Sequence, residues 1–394
     1  MSDSFQRPFV FDASRLVWRM WRRRLPTGID RVCLAYLQEF ASDSLAMLQW
    51  GERRVVLGPQ GSDALFRVLM GGATRLRRTR LAAVLARTIP ASVVRSPDFF
   101  GRVYLNVGHT GLNAPGLGDW IASHGLKAVY LIHDLIPLTH PEYCRPNEHE
   151  KHATRMRNAL RSAHAVIVNS HATGADLADF AGQEGLPMPE VVVAHLGIEK
   201  LAAGRADASP WPSPYFLCIG TIEARKNHIL LLRTWTKLRT ELGPGTPDLV
   251  LVGQRGWEAE ETFALLDRGQ HEHGKIVELS GCRDAELAAL IDHARAVLMP
   301  SHVEGYGLPV LEAMARGTPV IASDLAVYRE ITDEIPLFLD PNDEAAWLRA
   351  IKDYLDATPE HEAQRRRLVA FRSPDWNDHM AQVKEWLGMR DWRE

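Results

Sequence analysis

At 394 residues the chain is longer than one hydrophobic core usually fills, so two domains are expected, and 46% apolar with 24% charged residues excludes a disordered or fibrous chain. The formal charge of −3 is uneven: 24 Lys and Arg against 18 Asp and Glu in residues 1–200 leave 22 against 31 for the remainder, so the halves carry +6 and −9. That balance points to an anionic partner for the first half and falls short of what nucleic acid would require.

Cys33, Cys144, Cys218 and Cys282 have no Cys-x-x-Cys spacing, which argues against a structural zinc site or a disulfide framework and for a reducing cytoplasm. The start, MSDSFQRPFVFD, lacks the basic-then-apolar order of an export signal, and nowhere do 18 apolar residues run together. The expected location is therefore cytoplasmic.

The first strand expected is FVFDA, residues 9–13. RLVWRMWRRRLPTG follows as a loop, with Trp18 and Trp21 set among Arg15, Arg19, Arg22, Arg23 and Arg24. Such a mixture suits anionic headgroups at a bilayer surface or an anionic acceptor, and equally a solvated basic loop with locally packed tryptophans. A second basic cluster, RLRRTR from Arg75 to Arg80, extends the positive surface. In TGIDRV, Gly28 precedes an apolar helix, where exposed amides approach a phosphate or simply form a turn.

VYLNV at 103, AVYLIH at 128, AVIVNS at 165 and VVVAHL at 191 complete a series of short β-branched runs that read as buried parallel strands. The third of the five strands, AVYLIH, delivers His133 and Asp134 at its end. A histidine there can donate to a sugar oxygen or act on a leaving group, with Asp134 fixing its tautomer or orienting the loop; a structural histidine is the other reading. EHEKH at 148–152 lacks zinc-protease spacing and reads as an exposed helix.

AAGRADASPWPSP, residues 202–214, has the composition of a linker, so the expected division is 1–203 and 204–374, with 375–394 returning to the first domain. Strands then restart with YFLCIG, LVLVG, KIVEL, AVLMPS and PVIAS. Two doubly wound α/β domains result, and ligands of such sheets sit beyond the carboxyl ends of the strands. After YFLCIG comes GTIEARKNH, whose Arg225 and Lys226 either clamp a diphosphate or merely open a solvated helix. After AVLMPS comes HVEGYGLPVLEAMARGTP, in which Gly305 and Gly307 precede a helix start built for an anion. Glu304 and Glu312 would repel a phosphate, so as ligand contacts they must face hydroxyl groups of the same ligand. No Asp-x-Asp occurs, which removes the usual metal–diphosphate clamp of other nucleotide-sugar enzymes.

GTIEARKN, GQRGW, LSGCRDAELAALIDHARAVLMPS and EGYGLPVLEAMARGTPVIASD together closely resemble the retaining glycosyltransferases of family 4, which have the two-domain GT-B architecture. TGIDRV, HDLIPL and VNSHATGADL match more loosely. The resemblance implies that Glu304 contacts the donor sugar and Glu312 the nucleotide ribose, that Arg225 and Lys226 bind the diphosphate, that His133 reaches the sugar, and that Gly28 lies in the loop over the phosphates. Catalysis is thereby assigned to His133, Glu304, Arg225 and Lys226, and donor binding extends to Asp134, Thr221, Cys282, Gly305, Gly307 and Leu308. Relatives often carry an aromatic residue near the base where this chain has Cys282. SPDWNDHMAQVKEWL resembles the terminal helix that crosses back onto the first domain. The activity implied is transfer of a sugar, mannose or a related deoxyhexose from a GDP-sugar, to a hydroxyl of a glycan or lipid-linked acceptor, without metal or other cofactor. Trp18, Trp21 and Arg22–Arg24 are the acceptor or membrane candidates. A nucleotide-sugar epimerase or hydrolase on the same architecture, or a sugar-binding protein, are the alternatives.

Overall fold

The computed structural model describes residues 7–22, 28–71, 77–199, 208–268, 274–356 and 358–388. Arg23, Arg24, Arg75 and residues 202–207 of the expected linker lie outside the described residues. The chain divides into two compact units, one of Met1–His133, Glu150–Leu196 and Trp376–Glu394, the other of Asp134–His149 and Gly197–Asp375.

The first unit is built on β1 (Phe9–Asp12), β2 (Ser44–Trp50), β3 (Arg53–Val56), β4 (Val103–Asn106), β5 (Lys127–Ile132), β6 (Ala163–Val168) and β7 (Glu190–Val193), in the order β3-β2-β1-β4-β5-β6-β7. All pairs are parallel except β2 with β3. β4 is buried at every position and β5 at all but its first, as strands covered by helices on both faces must be. Order reverses at β1, so the loops after β1 and β4 open side by side. At this end Asp12 is buried, accepting hydrogen bonds from Tyr104 Oη (2.7 Å) and Ser14 N (2.9 Å). The helix Trp376–Gly388 belongs to this unit, where His379 Nε2 lies 2.8 Å from Tyr36 Oη and Trp386 Nε1 donates to Glu190.

Residues 15–28 were expected as a loop, but Ser14–Trp21 is a helix. Its register follows from charge: Arg15 and Arg19, one turn apart, both pair with Asp30, at 2.7 and 2.8 Å, and Asp30 is buried in the helix Gly28–Phe40. Two cations of the basic stretch are thus partly neutralised within the fold. EHEKH is likewise not wholly exposed, since His152 turns inward with its ring 6.5 Å from His109.

The second unit carries β8 (Tyr215–Ile219), β9 (Asp248–Val252), β10 (Ile276–Leu279), β11 (Val297–Met299), β12 (Val320–Ser323) and β13 (Leu337–Leu339), all parallel, in the order β10-β9-β8-β11-β12-β13. One face packs Phe216, Leu231, Trp235, Leu251, Trp347 and Ile351 into a core. The order reverses between β8 and β11. Loops after β8 and β9 are laced together, Ile222 N donating to Gln254 O and Gly256 N to Ile222 O, both at 2.9 Å. Where they meet, a β-carbon on Gly253 would stand 1.8 Å from the Gly220 carbonyl oxygen. Gly253→Ala must therefore push backbone from backbone, and we expect it to lower the stability of this unit by roughly 1–3 kcal/mol, read as a fall in its urea midpoint. A midpoint equal to that of the native chain would show that the two loops part without cost.

Candidate active site

The crevice between β8 and β11 receives the side chains that matter. After β8, Gly220 (φ 144°) and Thr221 lead into a 3₁₀ turn, Ala224–Lys226, and then the helix His228–Leu242. Asn227 joins them in the left-handed conformation (φ 53°), its amide donating to Pro341 O at 2.9 Å. An asparagine tolerates that backbone better than most residues, which accounts for the RKN sequence. The turn is tied to the loop after β11 because His302 N donates to Arg225 O at 2.8 Å.

Arg225, Lys226 and Glu304 are brought together. Arg225 Nη1 lies 2.7 Å from Glu304 Oε2, Lys226 Nζ pairs with Oε1, and Ser301 Oγ donates to Oε1 at 2.7 Å. Glu223, which sequence reasoning passed over, pairs with Arg225 Nε at 2.6 Å and is buried. Only its position two residues before Arg225 could have marked it. Burial by itself would raise the Glu304 carboxyl, but the charges of Lys226 and Arg225 with the hydrogen bonds from Lys226 and Ser301 hold it down to about 2. Burial lowers the Arg225 guanidinium, yet Glu304 and Glu223 overcome it and keep the group fully charged. Burial wins at Glu223, whose carboxyl is raised despite Arg225 and Lys226.

The loop after β11 ends at Gly307, with φ 125° and a β-carbon position 2.6 Å from the Tyr328 ring. Glycine is required there on both counts. Leu308 opens the helix Leu308–Ala315, with Gly305 just ahead; Pro309 has no N–H, and the amides of Val310 and Leu311 donate to Gly307 O. Glu312, one turn in, is buried. Cys282 stands apart, after the edge strand β10 and two strands from β8.

Asp134–His149, the segment following His133, packs in this unit. Tyr143 lies face to face on His302 with centroids 4.8 Å apart and planes within 2°, and the Arg145 guanidinium sits 4.5 Å above the Trp257 ring of GQRGW. Sequence reasoning missed both contacts because neither partner is near the other in the chain. Asp134 Oδ1 accepts from Ile136 N at 3.2 Å, ahead of the short helix Ile136–Thr139, and its charge contributes to holding Arg225 protonated.

In the first unit His133 is buried, and its Nε2 donates to Val107 O at 2.8 Å. That carbonyl, rather than Asp134, sets the tautomer. His109, in left-handed backbone (φ 57°), leans on His133 with centroids 5.0 Å apart and donates from Nε2 to Leu131 O. Gly28 opens its helix, preceded by residues outside those described.

A family model described as glycosyl transferases group 1 matches residues 213–357. The O-antigen chain mannosyltransferase B of Escherichia coli is 30% identical over 273 residues, 65% of this chain and 69% of that protein. The O-antigen chain mannosyltransferase RfbU of Salmonella typhimurium is 37% identical over 173 residues, 44% of this chain and 46% of its own length. Among solved structures, HepE from Anabaena, determined with UDP-glucose, superposes with a TM-score of 0.68 at 16% identity, covering 97% of this chain and 99% of that one. Sucrose-phosphate synthase from Thermosynechococcus elongatus gives 0.60 at 18% identity, with coverage of 97% and 99%.

The ion cluster has a pH signature. A carboxyl whose pKa is lowered by folding stabilises the fold fully above its ordinary value, 4.5 here, and loses that contribution as pH falls towards its folded value of about 2. Glu304→Gln should therefore cost on the order of 3 kcal/mol at neutral pH, and the gap from the native chain should close as pH drops below about 4.5. Urea unfolding from pH 7 to 3 measures it; a gap that widens in acid would mean that Glu304 is not held as an anion.

Proposed function

The chain belongs to the group 1 glycosyl transferases, and from that premise we propose that it moves a mannosyl or related deoxyhexosyl residue from GDP to a hydroxyl group, with retention at the anomeric carbon. The observation that carries the reading is the pair of cations, Arg225 and Lys226, fixed on a backbone-laced loop at the sheet's switch point beside a helix start. Two cations in that place suit a diphosphate, whose charge grows as the sugar leaves. Mannose is favoured by the relatives named above, and a polysaccharide of the cell surface is the corresponding product.

Arg225 pairs with both Glu223 and Glu304, and Lys226 with Glu304. An arriving diphosphate must displace a carboxylate from the cations, and Glu304, which spans both, is the one that occupies their donors. Released, it turns to the sugar hydroxyls, which a carboxylate accepts from readily. Glu312 takes the ribose. In the transfer, the bond from the anomeric carbon to the β-phosphate oxygen breaks as the acceptor oxygen bonds on the same face, and the acceptor proton passes to the departing phosphate. Arg225, Lys226 and the Leu308 amide after Gly307 stabilise that leaving group, so neither a protein nucleophile nor a metal is needed.

The acceptor is a glycan or lipid-linked sugar met at the cytoplasmic face of an anionic membrane. Among the described residues no helix is long and apolar enough to cross a membrane, and the seven arginines Arg15, Arg19, Arg22, Arg77, Arg78, Arg80 and Arg87 lie on two helical stretches, 14–22 and 77–94, that contain no acidic residue.

A donor screen with GDP-, UDP- and dTDP-sugars in excess EDTA tests the reaction. GDP-mannose or a GDP-deoxyhexose should be consumed, and transfer should survive the chelator; abolition by EDTA with recovery on adding magnesium would refute the metal-free step, and free sugar as sole product would favour a hydrolase. Calorimetry with GDP separates the charges. Arg225→Ala should weaken GDP and lower turnover by roughly 10²-fold, whereas Glu304→Gln should lower transfer while GDP binds as well as before or tighter. Parallel loss of both properties in Glu304→Gln would show that the carboxylate does not compete with the diphosphate.

A further inference from the structure

The first unit has its own switch point, beside β1, and nothing in the reaction above uses it. Two adjoining cavities of about 440 Å³ each open there. One is cationic, lined by Arg15, Trp18, Arg19 and Arg22 from the helix after β1 and by Thr110 from the loop after β4. Its neighbour is apolar, lined among others by Val17, Trp18, Trp21, Trp50, Leu85 and Ile89. Trp18 is the wall between them.

Three tryptophans line that trench and stay more than two-fifths exposed, Trp18 at 43%, Trp21 at 45% and Trp50 at 43%, an amount of apolar surface that a folded chain seldom leaves to water without use. Arginines edge it, Arg22 lying 5.0 Å over Trp18 and Arg78 5.3 Å over Trp21. Three arginines line the cationic cavity, and Arg15 and Arg19 share the carboxylate of Asp30. A phosphate monoester brings roughly −1.5 to −2. Because Asp30 is buried and holds two of the guanidinium groups in place, the site is organised before any ligand arrives.

We infer that this double cavity binds a lipid phosphate, the phosphate among Arg15, Arg19 and Arg22 and the hydrocarbon chain in the trench of Trp18, Trp21 and Trp50. The proposal deepens the lipid-linked acceptor reading and rests on it for its role in transfer, but binding itself requires no donor. Each half of the ligand answers a half of the site: a free phosphate leaves the tryptophans wet, and an uncharged amphiphile brings no anion to the arginines.

Calorimetry on the whole chain with monomeric dodecyl phosphate, inorganic phosphate and dodecyl maltoside, in the absence of any nucleotide, tests it. Dodecyl phosphate should bind about tenfold or more tighter than either control, at one site per chain. Arg22→Ser should weaken it about fivefold and Trp50→Ser about tenfold; both side chains are at the surface, so circular dichroism should remain native. Inorganic phosphate binding as tightly would reduce the site to an anion pocket, and dodecyl maltoside binding as tightly would reduce it to an apolar groove. Adsorption to phosphatidylglycerol vesicles without affinity for dodecyl phosphate would leave only a membrane-facing surface. Any of the three overturns the inference and leaves sugar transfer untouched, whereas a failed donor screen would not affect the lipid result.

Discussion

A carboxylate shared by two cations organises the second unit. Glu304 bridges Arg225 and Lys226, and through Arg225 it shares the cluster with Glu223, so four ionisable groups meet in a place largely withdrawn from water. Isolated, any one of them would be costly to bury; pairing holds the Glu304 carboxyl low and keeps the Arg225 guanidinium charged, while at Glu223 burial prevails and raises the carboxyl. The surrounding backbone serves this arrangement. His302 N is bonded to Arg225 O, Asn227 takes a left-handed conformation between the turn ending at Lys226 and the helix starting at His228, and Gly307 takes a conformation and a space that no side chain fits.

Position in the sheet explains why these residues meet. Strand order reverses between β8 and β11, so the two loops diverge around a crevice into which both can project, 78 residues apart in sequence for Lys226 and Glu304. The segment after His133 adds a further layer, stacking Tyr143 on His302 and Arg145 over Trp257, and so packing against the two loops that flank the cations. An equivalent reversal at β1 leaves the Arg15–Arg22 face and the Trp18 trench beside the loop that carries Thr110.

Histidine chemistry is more restrained than charge chemistry here. His133 and His109 each donate from Nε2 to a backbone carbonyl and lean on one another, and burial pushes the His109 imidazole well below its ordinary range. Both rings stand at the carboxyl end of the first sheet, His133 bonded to Val107 O and His109 to Leu131 O.

Strands of β-branched residues could be read directly from the chain, because burial on both faces demands unbroken apolar runs: FVFD, AVYLI, AVIV, FLCI and LVLV all lie in parallel strands. β2 and β3 escaped that reading. SLAMLQW has no β-branched residue, and RRVV is a short antiparallel edge whose polar half looks like a loop. The three-residue β13 is too brief to carry a pattern. Helix starts, glycines and the cations after β8 were also legible, since each is a local demand of backbone geometry or charge. Partnerships were not. That Glu304 lies on Lys226, that Asp30 turns Ser14–Trp21 into a docked helix, and that Tyr143 finds His302 all depend on which loops the strand order sets side by side, and contact between distant residues is decided by topology and close packing rather than by spacing along the chain.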